Sequence, residues 1–167
     1  MTVTGMVLVA FGCAWAGFRA AEQLRSYVQR LDQVIVGLRL MEQELELDSP
    51  DLTKLMERLE RRSDGAAKRI FSCCKMELSR LDQVSFRQIW KHAIEEQGLK
   101  QEVISALDPL ADTLGRCDCS AQCRMVAAVC RQLERIRVMA ESEYRQQGKV
   151  YRIIGMSGGA FLIVLLM

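Results

Sequence analysis

Two stretches of the chain carry no charged side chain, and between them apolar residues recur at steps of three and four. The first runs from Thr2 to Phe18 and the second from Ile153 to Met167. Roughly 17 and 15 residues at about 1.5 Å of helical rise span about 25 and 22 Å, a little short of a hydrocarbon core of about 30 Å. Val150 and Tyr151 lengthen the second stretch, and Arg19 and Arg152 can snorkel to the headgroups. Trp15, Phe18 and Tyr151 stand near the charged ends, where interfacial aromatics belong. The pattern predicts an N-terminal membrane anchor over 2–18, a helical domain over 19–152 and a C-terminal anchor over 153–167.

Within the central part, Leu24, Val28, Leu31, Ile35, Leu38 and Leu45 form an amphipathic stripe of near-heptad period, with Glu42 at its one polar position. It predicts a helix from about 19 to 47 that continues from the first uncharged stretch. Ser49-Pro50-Asp51 reads as a helix start, with Ser49 as cap and Pro50 in the first turn. Leu52, Leu55, Met56 and Leu59 follow on one face, and Ser63-Asp64-Gly65 stops that helix. Ala67, Ile70, Phe71, Cys74, Leu78 and Leu81 mark the next. Ser85-Phe86-Arg87-Gln88 fits a capping box ahead of Phe86, Ile89, Trp90, Ala93 and Ile94, with Gly98 as terminator. Lys100 to Gly115 carries Val103, Ile104, Leu107, Leu110 and Leu114, and Asp108-Pro109 is expected to kink it. The last helix, from Ser120, turns inward Val126, Val129 or Cys130, Leu133, Ile136 or Arg137, Ala140 and Tyr144, and runs into the second uncharged stretch. The fold class expected is all-α: an antiparallel bundle of about six helices between N- and C-terminal transmembrane helices.

Charge sets the expected topology. Arg19, Arg25 and Arg30 follow the first uncharged stretch, and Arg145, Lys149 and Arg152 precede the second, which places both flanks in the cytoplasm. Ala14-Trp15-Ala16 imitates a signal-peptide cleavage site, but a secretory signal carries its cations before the apolar run. The seven cysteines, an odd number with Cys73 and Cys74 adjacent, make a poor disulfide framework and suit a reducing compartment. With 23 Lys+Arg against 21 Asp+Glu there is no concentrated basic surface to neutralise phosphates, so no nucleic-acid partner is expected.

Each candidate for chemistry has a plainer reading beside it. His92, the one histidine, has Lys91 and Ala93 as sequence neighbours and reads as a surface residue. Cys117, Cys119 and Cys123 lack the two separated pairs of a zinc site; Cys119, Cys123 and Cys130 share a helix face as small apolar residues. Glu42, Glu44 and Glu46 with Asp48 and Asp51 lack the glycine turn of a calcium loop and read as a solvated or partner-docking face. Gly155 and Gly159 form a GxxxG spacing suited to helix packing in lipid, with Gly12 and Ala16 as an opposing small surface. No nucleophile, paired-carboxylate or phosphate-loop arrangement can be assembled. The reading is a non-enzymatic protein with no cofactor and no metal.

Several segments resemble one family, stage III sporulation protein AB of endospore-forming bacteria, and the resemblance covers essentially the whole chain. They are Leu40-Met41-Glu42-Gln43-Glu44, Trp90-Lys91-His92-Ala93, and Leu114-Gly115-Arg116-Cys117-Asp118 with Gln122. The most specific is Gly148-Lys149-Val150-Tyr151-Arg152-Ile153-Ile154-Gly155 with Gly158-Gly159. Cys117 stands where the family has a small hydroxyl residue, and Ser49-Pro50-Asp51-Leu52 only approximates its Pro-Leu helix start. The resemblance implies a component of the channel complex between mother cell and forespore, at the cell membrane, with its soluble domain in the mother-cell cytoplasm. That domain is similar to the helical domains of the type II secretion inner-membrane platform. Implied partners are the stage III sporulation ATPase, protein AA, and other membrane proteins of the complex, with a homo-oligomer also allowed. Glu42, Glu44, Glu46, Asp118 and Gln122 are the expected contact residues. The alternatives are a platform component of a general secretion or pilus system, and a membrane-bound cysteine-based metal or redox sensor.

Overall fold

A computed structural model describes residues 19, 22–23, 25–47, 51–78 and 85–143 in full, and 2–18, 20–21, 24, 48 and 144–166 as helical backbone. Every regular element among them is a helix: α1 (Thr2–Asp48), α2 (Leu52–Arg62), α3 (Gly65–Leu78), α4 (Phe86–Glu95), α5 (Gln101–Leu107), α6 (Leu110–Thr113) and α7 (Cys119–Leu166). The chain divides into two compact units, Gln29–Arg137 and the paired terminal segments Met1–Val28 with Val138–Met167. In the terminal unit, Tyr27 and Ala140 are buried, whereas Val138 and Met139 are exposed.

The bundle order within Gln29–Arg137 follows from residues that meet across helices. Along α1, Asp32 pairs with Arg137, Arg39 with Glu134, and the Leu45 carbonyl with Cys119 of α7. Rising numbers on one helix face falling numbers on the other, so α1 and α7 are antiparallel. The Arg69–Gln97 and Glu77–His92 contacts show the same for α3 and α4. By contrast, Gln33 reaches Ala66 and Gly37 lies against Ala67 and Phe71, so α1 and α3 run in the same direction. The all-α bundle expected from the periodicity is the observed one, with a seventh element because α5 and α6 are separate.

Most of the predicted apolar positions among the described residues are buried, and Val28, Leu52 and Ile104 are half-buried. Leu31, Ile35, Leu38 and Leu45 of α1 are buried, joined by Val34, Gly37 and Met41. The stripe is wider than a coiled-coil seam because α1 meets α2, α3 and α7 at once. In α4, Phe86, Ile89, Trp90, Ala93 and Ile94 are all buried, and Gln88 Oε1 accepts the Ser85 N–H at 3.3 Å. Both Val129 and Cys130 are buried on α7, and Ile136 more so than Arg137. One helix start differs from expectation. Asp51 occupies the cap position of α2 with extended backbone, its carbonyl accepting the Leu55 N–H at 2.9 Å. Ser49 and Pro50, expected to open that helix, lie outside the described residues, as do Leu81 and the side chains of Leu24 and Tyr144.

Pro109 divides α5 from α6, and the break is compensated across the core. In an uninterrupted helix the Leu107 carbonyl would accept the Ala111 N–H, but that N–H bonds Asp108 O at 3.0 Å. The Trp90 indole Nε1–H, fully buried, donates to Leu107 O at 3.0 Å instead. Outside, Arg87 forks to Asp108 and Asp112, each at 2.6 Å, and straddles the same kink.

Among the described residues, no helix is long and apolar enough to cross a membrane. The side chains of the expected anchors, 2–18 and 153–167, lie outside them.

Gly37 marks the tightest helix contact. A Cβ there would lie 2.5 Å from Ala67 Cβ and 3.1 Å from Phe71 Cε2, with no flexible chain end to yield. Gly37→Ala is expected to destabilise the fold by about 1–3 kcal/mol, read as a lower denaturant midpoint by circular dichroism. Trp90→Phe keeps most of the ring but strands the Leu107 carbonyl. A loss of about 1–3 kcal/mol is expected, and an unchanged midpoint would show that the indole bond contributes nothing net.

Candidate functional site

The acidic segment of α1 does not form one face. On a helix, positions two apart differ by about 200° and positions four apart by about 40°. Glu42 and Glu46 therefore share a side, and Glu44 points away from them. Glu44 is buried, its side chain 7% exposed, and its carboxylate takes Arg58 at 3.2 Å and Arg62 through the other oxygen. Glu42 is half-buried and Glu46 exposed. The expectation that Glu44 joins its neighbours on an accessible acidic surface is thus corrected: it is a structural anion that fastens α2 to α1.

The other expected contact segment caps α7. Asp118 accepts hydrogen bonds from the Ser120 hydroxyl and from the Ala121 N–H at 3.4 Å. The Ser120 bond, with smaller help from the Ala121 N–H, holds the Asp118 carboxyl below the usual carboxylate range. Gln122 Nε2 donates to Cys117 O at 2.7 Å and closes the turn. Both residues serve the helix start, and Asp118 remains exposed.

Although distant in sequence, the two segments meet at one end of the bundle. The Cys119 thiol donates to the Leu45 carbonyl, one of the last four of α1, at 2.8 Å. Cys123 feels the Glu46 and Glu42 carboxylates. Around this junction Leu47 stands out at 79% exposure, with Glu46, Cys117 and Asp118 also exposed.

The Cys123 thiol is not activated. Cys119 and Cys123 are 4.0 Å apart, and burial first, then the neighbouring Cys119, pushes the Cys123 thiol up to about 11. Cys130 is likewise raised to about 11, chiefly by burial, and burial raises Cys74 further. Reactive thiols need the opposite shift. Cys117, Cys119 and Cys123 do not converge as a ligand set either: among the described residues, the grouping with three metal-binding atoms together is Cys73, Glu77 and His92.

That grouping revises the sequence reading of His92. The ring is exposed, as expected, but it has partners: Glu77 Oε1 of α3 lies 3.8 Å from Nδ1, and Glu96 Oε1 lies 3.8 Å from Nε2. Cys73 Sγ is 4.0 Å from the same Glu77 oxygen. The i, i+4 spacing of Cys73 and Glu77 is visible in the sequence, but the antiparallel packing of α4 on α3 that brings His92 to them is not. The expected transmembrane packing residues Gly12, Ala16, Gly155 and Gly159 have surroundings that lie outside the described residues.

Comparison with known proteins decides the family. The model for stage III sporulation protein AB matches residues 2–167. The chain belongs to the stage III sporulation protein AB family. A solved structure named stage III sporulation protein AB has the same fold, with a TM-score of 0.61. The two are 18% identical, and the alignment covers 72% of this chain and 97% of that one. A search of the curated proteins finds no significant match. As a member of the stage III sporulation protein AB family, the chain is a sporulation protein built on a helical bundle.

The burial pattern fixes an order of thiol reactivity in this family member. Under native conditions near neutral pH, Cys117 is expected to be alkylated first among the described thiols, and Cys74 and Cys130 only after unfolding. Site-resolved mass spectrometry of a maleimide time course reads the order directly. Early modification of Cys74 would contradict the packing of α3.

Proposed function

We propose that the protein is a non-enzymatic platform of the channel complex between mother cell and forespore, anchored in the cell membrane and docking the complex's cytosolic ATPase. The observation that carries this reading is the family match over 2–167, which runs through both uncharged ends as well as the bundle. Those ends belong to the two longest helices, and the terminal segments 1–28 and 138–167 group as one compact unit, which suits a helical hairpin. The cations flanking them favour a cytosolic Gln29–Arg137 unit.

For the ATPase we favour the end of the bundle where α1 stops and α7 begins. Leu47 there is an exposed apolar residue at the same end of the bundle as the exposed carboxylates of Glu46 and Asp118, with Glu42 one turn before Glu46, a combination suited to a partner surface with an apolar pocket and a basic rim. Gln122 stands one helical turn on and holds the Cys117 turn in place.

The double charge reversal Glu42→Lys with Glu46→Lys is expected to weaken capture of purified stage III sporulation protein AA by about tenfold or more, about 1.4 kcal/mol, with an unchanged melting temperature. Glu44 is left intact because its loss would disturb α2. Undiminished capture by a folded double variant rejects this end as the docking surface.

A further inference from the structure

We infer that Cys73, Glu77 and His92 form a binding site for one zinc-class divalent metal ion, which ties α3 to α4.

The donor set comes first. One thiol, one carboxylate and one imidazole present Sγ, a carboxylate oxygen and a ring nitrogen, all within 4.8 Å of one another. Calcium and magnesium take oxygen ligands, whereas thiolate with imidazole suits zinc and its neighbours. Tetrahedral zinc with bonds of about 2.0–2.3 Å holds its ligand atoms about 3.5 Å apart. Two of the separations are already 4.0 Å (Cys73 Sγ to Glu77 Oε1) and 3.8 Å (Glu77 Oε1 to His92 Nδ1). The remaining contraction needs only side-chain rotation, and the Glu77 and His92 side chains are 35% and 58% exposed. Three protein ligands leave the fourth position to water, which suits a site open to solvent.

The helices fix the ligands. Cys73 and Glu77 are one turn apart on α3 and face the same way. Ile89 and Ala93 are on the buried face of α4, and His92 stands at the exposed flank of that face, 3.8 Å from Glu77 of α3.

A second carboxylate supports the same reading. Metal-binding imidazoles commonly direct their other nitrogen to a carboxylate that fixes tautomer and orientation. Glu96 Oε1 lies 3.8 Å from His92 Nε2, the ring nitrogen that does not face Glu77. Two carboxylates, Glu77 and Glu96, lie 3.8 Å from the His92 ring nitrogens, so a cation there relieves their repulsion. On binding, the Cys73 S–H bond is exchanged for an S–metal bond and the proton goes to solvent. Access is direct, since Cys73 and Glu96 line an open groove with Arg69, Ser72, Met76 and Gln97.

The test uses the reduced full chain and Co2+ as a spectroscopic probe. One equivalent is expected to give a sulfur-to-cobalt charge-transfer band and the visible bands of four-coordinate cobalt, both abolished by excess Zn2+. The ultraviolet band should be lost in Cys73→Ser and retained in the triple variant Cys117→Ser, Cys119→Ser, Cys123→Ser. His92→Ala should weaken binding at least tenfold, and Glu96→Gln about tenfold. No sulfur band in the unmutated chain overturns the site, as does a band that survives Cys73→Ser or vanishes in the triple variant. Should Cys73→Ser not fold, alkylation of the unmutated chain decides. Zn2+ must slow modification of Cys73 but not of Cys117, and equal rates with and without Zn2+ overturn the proposal.

Discussion

The close approach of α1 and α3 at Gly37 is the constraint on which the rest of the bundle depends. Without a side chain at 37, the α1 backbone can lie against Ala67 and the edge of the Phe71 ring. That proximity brings two further contacts within reach. One turn earlier, Gln33 Oε1 accepts the Ala66 N–H at 2.9 Å and satisfies a first-turn donor of α3 from another helix. Two turns later, Glu44 receives Arg58 and Arg62 of the intervening helix. The small contact, the borrowed cap and the buried anion together set how the α2–α3 hairpin sits on α1. The apolar residues then fill the space so defined.

These features are ranked by burial, not by number. Most of the ion pairs join half-exposed partners and add little each. Arg61–Glu57 and Lys91–Glu95 are single-helix pairs of this sort. Glu44 differs because its carboxylate is out of water while both arginines remain 42% and 48% exposed. The cations keep part of their hydration, so the desolvation penalty falls mostly on one group. Two donors on separate oxygens compensate it. Trp90 follows the same logic: a buried donor is tolerated because a proline has left a buried acceptor in need of one.

Periodicity made most of the fold legible. The faces of α3, α4 and α7 were readable because each helix buries one side, and three-and-four spacing reports a single side well. The reading was narrower for α1, which is covered by several helices and buries Val34, Gly37 and Met41 beyond the heptad stripe. Gly37 itself gave no local signal, since a glycine within a strong helical pattern reports a neighbour's proximity only once the neighbour is known. The Gln33 cap was hidden for the same reason: its acceptor and donor are 33 residues apart.

The candidate surfaces show where sequence reasoning stops and where it could have gone further. Grouping Glu42, Glu44 and Glu46 by nearness along the chain ignored the helical angle, which alone separates Glu44 from the other two. Bringing Glu46 and Asp118 to one end, and His92 to Cys73 and Glu77, needed the pairing of antiparallel helices, which no local pattern contains. The two places are also supported differently. The first is built at helix termini, where Asp118, Cys119 and Gln122 already satisfy backbone groups, so their substitution disturbs capping as well as any contact. Glu42, Glu46 and Leu47 carry no such duty among the described hydrogen bonds. A role in recognition at that end is therefore separable from folding only on the α1 side, and that asymmetry makes α1 the informative place to alter.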